Sequence, residues 1–224
     1  MFWQDPQFGN KLITMMAALV LVLQILMVAQ RWLVTNIRAF GVQSFLLAAI
    51  AATIAHFNHA PHIYVVAALT LVFKAILLPV ILERMVTKVE IQQQIEPFVN
   101  VPVSVIVSGL LTLLAYVVAE SFHRPEEASG LGHNTLAVAI ALFLIGFFMM
   151  VNRRKALTQV LALLCLENGL FLAAISLTYG MPLIVEIGIF FDVLVATLLL
   201  GILVYRIRET FDSMDVSRLS RLRG

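Results

Sequence analysis

Residues 156–179 read ALTQVLALLCLENGLFLAAISLTY, 24 residues that contain a single charged side chain, Glu167. About 20 apolar residues in a helix cross a hydrocarbon core of about 30 Å, because each residue adds about 1.5 Å. The rest of the 224-residue chain is similar: 61% of its residues are hydrophobic and 12% are charged, against about 25% charged in an average soluble domain. A soluble fold of this size exposes too much surface to hide so much apolar area. The sequence therefore excludes a soluble enzyme and predicts an all-α, polytopic membrane protein.

The hydrophobic runs predict seven transmembrane helices within one domain that covers residues 1–224. Their positions are about 11–31, 36–57, 62–83, 101–121, 134–152, 156–179 and 183–206. The single cysteine, Cys165, lies inside the sixth span. One buried thiol excludes a disulfide framework, a CxxC redox pair and a thiolate-bound cluster.

The basic residues predict the orientation of these helices. Of the 15 lysines and arginines, twelve fall in the turns after the first, third and fifth spans and on the tail after the seventh. The opposite side carries Lys11 and Arg124, and Lys74 lies inside the third span. Because basic loops stay in the cytoplasm, we expect the N-terminus outside and the C-terminus in the cytoplasm.

The order of helices and turns indicates an internal repeat. Residues 11–83 and 134–206 each make a long helix, a short basic turn, a second helix, and a proline-containing outer turn before a third helix. Residues 101–121 form a helix that joins the two units and returns the chain to the outer side. The two units then run in the same direction, as a parallel repeat.

Four ionisable side chains lie inside predicted spans: Lys74, Glu167, Glu186 and Asp192. A charge at the centre of a membrane helix costs about 2.5–3.5 kcal/mol, and such groups usually mark ion or proton paths. Lys74, Glu167 and Asp192 share one depth, and Glu186 lies nearer the outer end. A nearby opposite charge favours the charged forms, whereas removal from water favours the neutral ones, so the protons are poised to move. The sequence predicts a proton relay formed by these four residues.

Other polar residues extend the predicted polar core between the helices. They are Gln24, Gln43, Ser44, Gln159, Asn168 and Thr197. An alternative reading is a static ion pair between Lys74 and one acid that sets helix register. Glu186 and Asp192 are separated by about 120° around their helix, so they need not share a partner.

Pro79 follows Lys74 by five residues and is expected to kink the helix or free the carbonyl of Ala75, although a tolerated membrane proline is the other reading.

The remaining chemistry-bearing residues indicate no catalytic site. The five histidines lie at outer helix ends or in outer loops, where we interpret them as wetted loop residues rather than as metal ligands. No Gly-rich phosphate loop, HExxH motif or nucleophile elbow is present in the sequence. We therefore expect no catalysis by this chain alone, no bound metal and no cofactor, and nothing in the sequence indicates a nucleic-acid partner.

Three short motifs carry a resemblance to a known family. They are LENG at residues 166–169, VEIG at 185–188 with Asp192 following, and FKAILLP at 73–79. Together they resemble component E of the hydrogenase-4 type, a membrane subunit of formate hydrogenlyase and related energy-converting nickel-iron hydrogenases. The resemblance implies a multi-pass subunit of the bacterial inner membrane that does not itself catalyse a reaction. It also implies antiporter-like and other membrane-arm subunits as neighbours, with hydrogenase and iron-sulfur subunits in the same assembly.

The last three predicted helices are also similar to the K subunit of respiratory complex I and to the C subunit of multisubunit sodium/proton antiporters. The resemblance implies that Glu167 matches a membrane glutamate of the complex I proton path. A second acidic position on the following helix is not matched at the same spacing, and Glu186 and Asp192 are its candidates. Two other functions stay open: an antiporter subunit without a redox partner, and a scaffold in which the buried charges only set helix register.

Overall fold

The computed structural model describes residues 6–88, 95, 97–121 and 135–178, and this part of the chain is helical. The helices are α1 (Pro6–Ala29), α2 (Leu33–Phe57), α3 (Pro61–Leu69), α4 (Leu78–Lys88), α5 (Val101–Ser121), α6 (Thr135–Asn152) and α7 (Ala156–Thr178). A π-helical segment, Thr70–Leu77, joins α3 to α4, so these three elements make one rod. We call this segment the wide turn.

Six predicted spans are confirmed as helices that are long and apolar enough to cross a membrane. Their bounds are Gln7–Ala29, Leu33–Phe57, Pro61–Arg84, Val101–Ser121, Thr135–Asn152 and Leu157–Leu177. The seventh predicted span, 183–206, lies outside the described residues. It holds the last helix of the second repeat unit, so the parallel repeat and the orientation of the termini stay predictions.

Local sequence accounts for the helix ends. Trp32 has an extended backbone, with φ −96° and ψ 122°, which interrupts the chain between α1 and α2. Pro61 stands at the start of α3, where its missing N–H costs no helical hydrogen bond. In the turn before it, His59 has a φ of 50°, the left-handed conformation that reverses the chain direction.

Two apolar clusters fill the interior at different depths. The basic-side cluster contains Met27, Phe40, Leu82, Met149 and Leu161, among others. The distal cluster contains Ile13, Leu47, Ile54, Leu142 and Leu172, among others. Many large apolar side chains outside these clusters are exposed, as expected for helices that face lipid or neighbouring subunits.

A layer of polar side chains separates the two clusters. On α1, Gln24 lies between Val20 of the distal cluster and Met27 of the basic-side cluster. The same order recurs on the other helices that contribute to the layer. We call these residues the polar layer: Gln24, Gln43, Ser44, Lys74, Glu167 and Asn168. All six are buried, so charged and amide groups meet at one depth inside the bundle.

The basic turns meet at one end of the bundle, which we call the basic side. The backbone N–H of Ile95 donates to the carbonyl of Arg31 over 2.8 Å, and Pro97 forms an antiparallel bridge with Arg153. The guanidinium of Arg154 lies 4.4 Å from the centre of the Phe98 ring. The segment before α5 therefore ties the turn between α1 and α2 to the turn between α6 and α7.

Asn152, the last residue of α6, makes several of the hydrogen bonds that hold this segment in place. Its Oδ1 accepts from the N–H of Val99 over 2.8 Å, and its Nδ2 donates to the hydroxyl of Ser104 over 3.1 Å. Its backbone carbonyl accepts from the N–H of Phe98 over 3.0 Å. One side chain thus fixes α5 and the segment before it against α6.

Replacing Asn152 with alanine should lower the stability of the protein. The change leaves the partly buried N–H of Val99 without its side-chain acceptor, a loss of about 1 kcal/mol. Thermal unfolding in detergent measures the effect. Thr112→Val is the matched control, because the Thr112 hydroxyl donates to Ser108 within its own helix. Equal midpoints for the two variants would contradict the role of Asn152.

Candidate functional site

The polar layer holds a buried ion pair between Lys74 and Glu167. Lys74 Nζ lies 3.3 Å from Glu167 Oε1, and the two side chains are 1% and 6% exposed. Lys74 comes from the middle of the wide turn and Glu167 from the middle of α7. The structure therefore brings together two of the four residues predicted for the relay. The other two, Glu186 and Asp192, lie outside the described residues.

Close packing of α6 against α7 fixes the position of Glu167. A Cβ atom placed on Gly146 would lie 2.6 Å from the Cα of Leu166, and one on Gly169 would lie 2.6 Å from the backbone nitrogen of Phe143. Only glycine permits backbones to approach so closely. This packing explains the LENG motif. Leu166 and Gly169 place α7 against α6, and Glu167 lies between these two contacts.

The wide turn presents Lys74. Its hydrogen bonds span five residues instead of four, as in the bond from the N–H of Leu78 to the carbonyl of Phe73. Pro79 follows directly and has no N–H to give to the preceding turn. The predicted effect of this proline therefore takes the form of a widened helix around the lysine. The ammonium also lies 5.5 Å from the centre of the Phe171 ring, on the helix that carries Glu167.

Amide side chains form a network beside the ion pair. Asn168 Nδ2 donates to Gln43 Oε1 over 3.1 Å and to the hydroxyl of Ser44 over 3.3 Å. Gln43 Nε2 donates to Gln24 Oε1 over 2.8 Å and to the carbonyl of Val20 over 3.3 Å. Asn168, Gln43, Ser44 and Gln24 are each 0% exposed. The network joins α7, α2 and α1, which confirms that these four residues extend a polar core.

Polar groups continue from this network toward the basic side. Gln24 Nε2 donates to the sulfur of Met149 over 3.3 Å, and the thiol of Cys165 lies beside Gln24. Arg153 is 3% exposed, and its Nη2 donates to the carbonyl of Met27 at the end of α1 over 3.1 Å. Removal from water lowers the pKa of Arg153 to about 10, so the group still carries its charge at neutral pH.

One interpretation from the sequence changes with the structure. Gln159 does not belong to the polar layer: it is exposed, and it donates to the carbonyl of Arg153 over 2.9 Å at the start of α7. Its place within the first turn of the helix puts it at the membrane surface. Thr197, the other predicted member, lies outside the described residues.

Sequence reasoning missed several buried polar residues. Arg153 was counted only as a loop charge, yet it is buried and caps α1. The hydroxyls of Thr135 and Ser176 meet at 2.5 Å between α6 and α7, near the end opposite the basic side. Thr and Ser carry little hydropathy signal in a membrane helix, so only the packing shows which ones lie inside.

The histidines described by the structure form no cluster with acids or the cysteine. The Tyr64 hydroxyl and His56 Nδ1 lie 3.4 Å apart at the start of α3. Within residues 6–88, 95, 97–121 and 135–178, no group of three or more His, Cys, Asp or Glu side chains is placed to hold a metal ion. His123 and His133 lie outside these residues.

Known proteins similar to this chain include hydrogenase-4 component E. The protein of that name from Escherichia coli K12 is 26% identical over 216 residues, which cover 96% of this chain and 99% of the relative. The one from Shigella flexneri gives the same figures. An uncharacterized protein from Mycobacterium tuberculosis is 36% identical over 154 residues, which cover 68% of this chain and 69% of the relative. No family model and no solved structure matches the chain.

A double-mutant cycle tests the ion pair. Lys74→Met or Glu167→Leu alone should destabilise the protein by about 3–5 kcal/mol, because each change leaves the other charge buried without this partner. The double variant should lose less than the sum, since it removes both charges. Thermal unfolding of the four proteins in detergent measures the coupling. Additive losses would contradict a direct interaction.

Proposed function

Because the chain belongs to the hydrogenase-4 component E family, we propose that it is a membrane-arm subunit of an energy-converting hydrogenase or formate hydrogenlyase complex in the bacterial inner membrane. We further propose that it helps to translocate protons through Lys74 and Glu167. The single observation that carries this second step is the buried ion pair at 3.3 Å in the middle of the bundle. The chain supplies no redox chemistry of its own, which belongs to partner subunits.

The ion pair can exchange a proton without creating a new charge. Transfer from the Lys74 ammonium to the Glu167 carboxylate leaves an amine and a carboxylic acid, and the net charge of the pair stays zero. Inside a membrane both states are accessible, because burial disfavours the separated charges and their proximity favours them. A proton that arrives from one side protonates the Glu167 carboxylate and raises the net charge of the pair from zero to +1. Release of a proton to the other side restores the neutral pair.

The polar layer supports a path between this pair and the basic side. Asn168, Gln43 and Gln24 place amide dipoles in sequence from Glu167 toward Cys165 and Arg153. Such dipoles stabilise a charge that passes near them in a medium of low dielectric constant. Among the described residues this is the route along which polar side chains cross the basic-side cluster.

The other predicted relay residues complete the proposal. We place Asp192 and Glu186 on the predicted seventh span, at mid-depth and nearer the outer end, where they would carry protons from the pair to the outer side. Antiporter-like subunits are the proposed neighbours in the membrane, and hydrogenase and iron-sulfur subunits are the proposed source of energy. The exposed apolar side chains of α5, which include Ile106, Leu113 and Val117, offer one surface for such neighbours.

Glu167→Gln in the intact complex tests the relay. The amide keeps the size of the side chain and, unlike leucine, an oxygen that can accept from the Lys74 ammonium, but it cannot exchange a proton. We therefore expect an assembled complex that forms hydrogen and translocates few or no protons. Inverted membrane vesicles with a pH-sensitive dye report translocation, and gas analysis reports hydrogen. Glu83→Gln is the matched control, because Glu83 pairs with Arg38 over 2.6 Å at the surface of the basic side. Normal pumping by an assembled Glu167→Gln complex would refute the relay.

Isolation of the complex tests the assembly. In mild detergent, we expect the chain to co-purify with nickel-iron hydrogenase and iron-sulfur subunits, identified by mass spectrometry. Antiporter subunits without any hydrogenase, together with sodium-dependent transport by the isolated assembly, would instead identify a sodium/proton antiporter.

A further inference from the structure

We infer that Gly41 on α2 is a positioning residue for Lys74. Its missing side chain lets the wide turn lie directly against α2, and this contact sets how far the ammonium reaches toward Glu167. The geometry stands by itself, while its consequence for proton transfer rests on the function proposed above. Neither the sequence motifs nor the similarity to known relatives assigns a role to this glycine.

The contact at Gly41 is with the backbone that follows Lys74. A Cβ atom on Gly41 would lie 3.2 Å from the carbonyl oxygen of Ala75, 3.2 Å from Cγ of Pro79 and 3.6 Å from its Cβ. The two shorter distances are tighter than ordinary van der Waals contact. A carbonyl in a helix and a closed proline ring cannot turn aside as a flexible side chain can. A methyl group at position 41 therefore requires these atoms of the wide turn and of Pro79 to move away from α2 by a few tenths of an ångström.

The wide turn depends on this contact more than an α-helix would. Its hydrogen bonds span five residues, and Pro79 withholds one donor from it. Thr70 and Lys74 are its two buried residues. Exposed apolar side chains occupy much of the rest, namely Val72, Phe73, Ile76 and Leu77. The position of Lys74 is therefore set by α2, the helix against which the wide turn packs.

Glu167, the other residue of the ion pair, lies on a helix that is fixed by its packing against α6. Gly146 and Gly169 place α7 against α6 at distances that leave no room for movement toward it, with backbone atoms on both sides of each contact. The network from Asn168 to Gln43 and Ser44 also ties α7 to α2. A change at Gly41 therefore moves Lys74 relative to Glu167, and the separation of the two charges increases.

The test is Gly41→Ala in the full complex, with Gly109→Ala as the matched control. Gly109 lies in α5, and a Cβ atom there meets nothing within 4 Å. The distance between positions 74 and 167 is measured by cross-linking. Lys74→Cys and Glu167→Cys are introduced in a Cys165→Ala background, and a short, membrane-permeant reagent with two thiol-alkylating groups joins them. Because the required shift is a few tenths of an ångström, we expect a small but measurable loss of yield with Gly41→Ala and an unchanged yield with Gly109→Ala.

The functional readout uses the native Lys74 and Glu167. Gly41→Ala should lower the protons translocated per hydrogen formed while the assembly and the rate of hydrogen formation remain. An unchanged cross-linking yield and an unchanged ratio would overturn the inference. If the Gly41→Ala complex does not assemble, Pro79→Ala replaces it, because it removes the ring at Gly41 and restores the missing N–H. Unchanged cross-linking in an assembled Pro79→Ala complex would equally overturn the inference.

The two proposals fail separately. Normal pumping by Glu167→Gln together with reduced cross-linking by Gly41→Ala would refute the relay and leave the positioning role standing. Loss of pumping in Glu167→Gln with no effect of Gly41→Ala would support the relay and refute the positioning role of Gly41.

Discussion

A lysine and a carboxylate inside a membrane helix bundle persist only together, because each alone carries a large desolvation penalty. The contact of 3.3 Å between Lys74 and Glu167 satisfies this constraint. The surrounding structure follows from it. Buried amides gather beside the pair, and apolar clusters lie on both sides of this layer. The apolar interior thus gathers the charged pair and the amides beside it at one depth, where the amides hydrogen-bond to one another.

The two halves of the pair are held in different ways. Gly146 and Gly169 bring α6 and α7 so close that a Cβ atom on either glycine would lie 2.6 Å from the backbone of the other helix, and this packing fixes Glu167. Lys74 instead sits on a widened helix whose hydrogen bonding is interrupted by Pro79 and whose support is a glycine on α2. The proton relay that we propose would use this difference, because a shift of the helix that carries Lys74 would change the separation of the two charges.

Order at the basic side has a separate physical origin. There the helices end, and their last carbonyls and first N–H groups require partners. Arg153 and Asn36 both donate to the carbonyl of Met27, and Asn152 satisfies the segment before α5. The buried guanidinium also lies where the polar residues that start at Glu167 come to the surface. The same residues that close the helix ends therefore shape the approach to the buried pair.

The sequence by itself determined the membrane class, the six helices that the structure describes and the depth shared by Lys74 and Glu167. Hydropathy and helix length are local properties, and charges at equal depth in a bilayer have few partners other than one another. It also indicated Gln24, Gln43, Ser44 and Asn168, since amides in a membrane helix seek each other. Tertiary structure decided that Gln159 is exposed at the start of α7, that Arg153 is buried, and that the helix widens around Lys74 next to Gly41 of α2. Those features depend on which helix faces lie against each other, and the spacing of residues along one chain does not contain that information.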